Sequence, residues 1–129
     1  MEANKREKIG KAVGLLHESA AKIRQLEFEA KDALFSRDDA AEHRKKLQEK
    51  AMLLMDLPDV MEEALAGMDD DAAEDILMGV RDFAGRAGQA MGLSSIFYMS
   101  ALLYPDDYRE GDQNDFEKFV DAVQNRHLK

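Results

Sequence analysis

The chain has 129 residues, 45% of them hydrophobic and 35% charged, with a formal net charge of −9, eight methionines and no cysteine. That length suits one hydrophobic core, two being too small to hold without staples, and the apolar content excludes an acidic disordered tail. The lack of cysteine excludes disulfide scaffolds, thiolate metal centres and cysteine nucleophiles, and it points to a reducing, cytoplasmic setting.

From Glu2 to Phe35 no proline or turn cluster interrupts the chain, and apolar residues recur at Ile9, Val13, Leu16, Ala20, Ile23, Ala30 and Leu34, with one gap at Glu27. This spacing predicts one long amphipathic first helix. Ser36 to Asp39 then supplies a break, with Asp39 and Glu42 spaced as a capping box for a second helix that ends near Asp56. Leu57-Pro58 reads as the stop, and a short third helix carries Val60, Met61, Ala64, Leu65 and Met68 on its apolar side. Gly67 and Asp69 to Asp71 separate it from a helix whose stripe is Ala73, Ile76, Val80, Phe83, Ala84, Ala87 and Met91. Small residues at Ala84, Gly88 and Gly92 suit close approach of another helix. Ser94 to Tyr104 is the most apolar element and is expected at the centre of the core. Pro105 stops it, and after a polar loop a last helix carries Phe116, Phe119, Val120, Val123 and His127 on one face. The reading is therefore all-α: a single bundle of five or six helices, with no strand signal.

Charge is shared unevenly. Residues 1–50 carry a net +2 and residues 51–129 a net −11, and between Ala51 and Val80 nine acids stand without a base. Such a face repels phosphate backbones, so nucleic acid is disfavoured as a partner. The 19 residues from Ala87 to Pro105 are uncharged, yet glycines, serines and a glutamine interrupt them, so a buried helix is expected and not a membrane span. No apolar run of signal-peptide length follows the charged start.

No catalytic set emerges. The histidines His17, His43 and His127 are scattered, no Gly-rich phosphate loop is present, and nothing marks a cofactor site. Asp106 to Glu117 has the length of a calcium-binding EF-hand loop, but Tyr108 stands where a short oxygen ligand is needed, and Asn114 with Glu117 reads better as a capping box. Glu29 with Asp32, and Asp71 with Glu74, place carboxylate pairs on helix faces that would suit magnesium. The methionines are candidates for an adaptable partner groove, with core filling as the plainer role.

Two family resemblances attach to particular residues. Glu74-Asp75-Ile76-Leu77-Met78-Gly79-Val80-Arg81-Asp82-Phe83-Ala84-Gly85 resembles a segment of translin-family proteins, and Arg6-Glu7-Lys8-Ile9 with Lys22-Ile23-Arg24 is similar to that family's first helix. This implies an α-helical oligomer that binds RNA or single-stranded DNA. Asp82 matches a carboxylate of the nuclease-active branch, while its partner position is occupied by Arg86. Arg37-Asp38 followed by His43 resembles the signature of HEPN-type ribonucleases and implies RNA cleavage by paired protomers.

The expectation for function is a non-enzymatic, self-associating interaction module. Its candidate interaction face is Asp69, Asp70, Asp71, Glu74 and Asp75, suited to a basic protein partner. Its candidate dimer face is Ile9, Val13 and Leu16, because a first helix of about 50 Å outreaches the core of so short a chain and should project. A nucleic-acid binder or RNase, and a divalent-metal hydrolase using helix carboxylates, are the alternatives.

Overall fold

The computed structural model describes residues 2–128, with side chains from residue 4 onward. The described residues form five α-helices and no strand: α1 (Glu2–Arg37), α2 (Ala40–Ala64), α3 (Asp71–Gly92), α4 (Ile96–Ala101) and α5 (Asp115–His127). None is long and apolar enough to cross a membrane.

The predicted break after α1 is present. Asp38 takes φ 50°, a left-handed conformation that aspartate tolerates, and Asp39 caps α2 by accepting from the Glu42 N–H. The expected stop at Pro58 is not. α2 runs through it to Ala64 as one helix of 25 residues. Proline has no N–H for the Leu54 carbonyl, which costs about 3 kcal/mol inside a helix. Leu54, Leu57, Met61 and Leu65 nonetheless keep one stripe and are buried, at roughly 1.5–3 kcal/mol for each side chain, so continued burial outweighs the lost bond.

That continuation corrects the dimer face. Ile9 is 6%, Val13 3% and Leu16 0% exposed; they lie in the chain's own core with Leu57 and Met61 of the extended α2, with Leu65 that caps it, and with α3 and α5. The start of α1 is gripped as well. Arg6 donates to the Leu128 carbonyl, Lys8 to the Ala66 carbonyl at 2.7 Å, and Lys5 pairs with Asp70. Among the described residues the start of α1 is thus held against the rest of the chain, and Gly10 and Gly14 face open space with no backbone near them.

α3 begins on Asp70, which accepts from the Ala73 N–H, and buries Ala73, Ile76, Val80, Phe83, Ala87 and Ala90. Gly88 and Gly92 admit no neighbour; the close approach comes at Gly79, where a methyl group would collide with the Phe119 ring. Phe83, Phe116 and Phe119 meet there edge to face, fixing α5 on α3. The expected central helix is instead a short peripheral one. α4 has six residues and buries only Met99 of its own, while Phe97 is 73% and Leu93 65% exposed.

Candidate functional site

The polar gap at Glu27 is answered from α2. Lys50 sits on that helix's apolar stripe between Leu47 and Leu54 and is completely buried. Its ammonium lies 2.8 Å from Glu27 Oε2 and donates to the Met99 and Leu102 carbonyls at 3.1 and 2.9 Å. It thus caps the open end of α4, where a positive charge also suits the helix dipole. Burial pulls the Lys50 pKa down, and the charge of Glu27 works against that shift. The Tyr104 hydroxyl donates to the other Glu27 oxygen, and burial followed by this bond pushes the phenol pKa up. Next along the chain, Leu103 is held at φ 82°, a conformation that costs a β-carbon residue of order 1–3 kcal/mol. Lys50 on the Leu102 carbonyl and the Asp115 N–H on the Leu103 carbonyl hold it there.

Arg24, one turn before Glu27, uses all five of its donors. Nε and Nη2 clasp Glu117 at 3.0 and 2.7 Å, Nη2 also donates to the Asp112 carbonyl, and Nη1 reaches the Tyr104 and Tyr108 hydroxyls. This two-pronged pairing holds the Glu117 carboxyl below its ordinary pKa, against the opposing pull of burial, and raises that of Arg24. Glu117 also closes the predicted capping box with Asn114, and Gly111 turns the loop at φ 96°, a conformation that favours glycine. The twelve-residue loop is therefore tied to α1 by an arginine that its own sequence does not contain.

Above this network lies a cleft of about 590 Å³, lined by Arg24, Glu27, Phe28 and Lys31 of α1, His43 and Leu47 of α2, and Ser100, Tyr104, Tyr108 and Glu110 from α4 and the loop. His43 Nδ1 lies 2.8 Å from the Ala30 carbonyl. A carbonyl only accepts, so Nδ1 carries the proton and Nε2 is left uncommitted.

The other side of α1 faces a second hollow. A shallow groove of about 630 Å³ runs between α1 and α2, lined by Leu15, Ser19, Leu26, Met52, Leu53, Leu57 and Val60, with Glu18, Glu49, Asp56 and Lys22 along its edges. Met52, Met55 and Val60 are 52%, 43% and 39% exposed on this stretch of α2, so part of its apolar surface has no cover.

Other expected site residues are dispersed or spent. In the acidic cluster, Asp70 caps α3, and Asp75 binds Arg126 and His127 of α5, leaving Asp69, Asp71 and Glu74 exposed. Burial pushes the Asp75 pKa up, and those two partners outweigh it and hold it down. Glu29 pairs with Lys46 and Asp32 with Arg37, so this carboxylate pair is already neutralised. Arg37 does not meet His43, and Arg86 is bound to Asp115. Among the described residues no group of His, Asp or Glu is arranged to hold a metal ion. Comparisons with protein-family models, curated proteins and solved structures gave no match.

Proposed function

We propose that the chain is a non-enzymatic interaction module that takes a basic amphipathic helix of a partner protein into the open groove between α1 and α2. The carrying observation is the partly exposed apolar surface of Met52 and Val60 in the groove. Helix-in-groove recognition uses such a surface, and methionine adapts to the shape of what it meets. Charge selects the partner. Three carboxylates and one lysine edge the groove, and α2 continues into the stretch of nine acids without a base. A second copy would bring an equally acidic edge to the same place, whereas a helix with lysine or arginine beside its apolar stripe meets complementary charge.

The test is a fluorescence-anisotropy titration with a synthetic helix patterned from leucine and lysine, next to a peptide of the same composition whose pattern is scrambled. The patterned helix is expected to bind, and Met52→Glu with Val60→Glu to weaken it at least about tenfold, a change of about 1.4 kcal/mol. Those substitutions add negative charge, so a purely electrostatic association would strengthen. Equal binding of both peptides, or binding indifferent to the two substitutions, contradicts the proposal.

A further inference from the structure

The cleft on the opposite side of α1 differs from the groove in having a built floor and an uncommitted rim. At the floor, the Tyr104 and Tyr108 hydroxyls, the Arg24 guanidinium and the Glu27 carboxylate are all engaged with one another, with Lys50 or with the loop backbone. What the two tyrosines offer a ligand is therefore ring surface, and their rings stand edge to face with centroids 4.7 Å apart. Phe28 and Leu47 add apolar wall from α1 and α2. Among the described residues, the Lys31 ammonium, the Ser100 hydroxyl, His43 Nε2 and the Glu110 carboxylate line the cleft without a hydrogen bond or ion pair of their own.

From this we propose that the cleft binds a small aromatic carboxylate, its ring against Phe28, Leu47 and the tyrosines and its carboxylate toward Lys31. Three considerations choose that chemistry. The volume falls within the range of small-molecule sites, which are mostly apolar with a few placed polar groups. Lys31 is the one cation lining the cleft that the described residues leave unpaired, since Arg24 is spent on Glu117, and a monoanion matches a single free positive charge. Glu27 and Glu110 also line the cleft and would repel the several charges of a polyphosphate more strongly than the single charge of a carboxylate, which disfavours nucleotides. This site is independent of the groove on the other side of α1.

The experiment is a titration with phenylpropanoate, followed by the aromatic NMR signals of Tyr104, Tyr108 and His43, with phenylethylamine and phenylpropanol as cationic and neutral counterparts. Phenylpropanoate is expected to shift those signals saturably and to bind more tightly than either counterpart. Phe28 and Lys31 are exposed, so Phe28→Ala and Lys31→Gln should leave the circular dichroism spectrum intact. Lys31→Gln should weaken binding about fivefold, and Lys31→Arg should retain it. Met52→Glu in the groove should leave it unchanged. Absence of shifts at Tyr104, Tyr108 and His43, equal binding of the amine, or indifference to Lys31→Gln would each overturn the proposal.

Discussion

The two sides of α1 solve opposite problems. On the cleft side its polar residues are drawn inward and matched: Glu27 to Lys50, Arg24 to Glu117, each with further bonds that bind α4 and the following loop to the helix pair. On the groove side its apolar residues meet those of α2, and the described chain leaves Met52 and Val60 only partly covered. A buried charge must be paired or it is very costly, so the Glu27–Lys50 pair reads as structure even though it is the most chemically conspicuous group in the molecule. Uncovered apolar surface beside like-signed charge has no such structural use. Recognition is therefore better sought where the fold leaves groups unsatisfied than where reactive side chains are densest.

The largest effect is expected at Lys50. Lys50→Met strands Glu27 as a buried, unpaired charge and removes the donors from the Met99 and Leu102 carbonyls; about 3–5 kcal/mol of stability should be lost, read from urea unfolding. Adding Glu27→Leu should recover more than half of it. A loss below about 1 kcal/mol in the single variant would mean that the pair does not hold α4.

A smaller effect is expected from Arg24→Lys, which keeps the charge and loses the fork. About 1–2 kcal/mol should go, discounted because Arg24 is partly exposed, and hydrogen exchange should quicken in the loop between α4 and α5 while α2 stays protected. Uniform quickening would contradict the assignment of Arg24 to that loop.

The same clasp has a signature in pH. Arg24 holds the Glu117 carboxyl below its usual pKa in the folded chain, so the unfolded chain takes up that proton at higher pH than the folded one. Its stabilising contribution is complete above the ordinary carboxylate value of about 4.3 and fades as pH falls through the depressed value. Unfolding followed from pH 6 down to pH 2 should show this loss, with a shallower slope in Arg24→Lys. An unchanged slope would sever the link between Glu117 and Arg24.

How far the sequence carries one toward these conclusions varies from place to place, for physical reasons. Caps are local, so Asp39 and the Asn114–Glu117 box are legible from a few residues and appear as read. Pro58 is a local signal overridden by tertiary burial. The dimer face at Ile9, Val13 and Leu16 rests on the length of α1 against the size of the domain, and the continued α2, with α3 and α5, buries those residues. Ser94 to Tyr104 misled in another way: its hydropathy promised the centre of the core, while Phe97 and Tyr98 lie on the surface. The gap at Glu27 is visible as an interrupted stripe, and Lys50 occupies a stripe position of its own. Each interruption was a signal, but their pairing depends on the register of two helices, which no local pattern encodes. The clasp of Arg24 on Glu117 spans 93 positions and leaves no local trace, and the acidic run gives no sign that Asp75 is paired within the chain.

The smallest expected effect on stability belongs to the groove: Met52→Glu, on a half-exposed position, should change it by less than about 0.5 kcal/mol. The most direct measurement of the groove's role follows the methionine methyl groups by carbon-13 NMR while the leucine–lysine helix is added. Met52, the methionine that lines the groove, should shift and saturate, while Met61 and Met99, which are 0% exposed, and Met78, exposed on α3, should stay in place. The shifts should be lost in Met52→Glu with Val60→Glu. Shifts led by Met78, spread evenly over all the methionines, or absent at saturating helix would contradict a docking role for the α1–α2 groove.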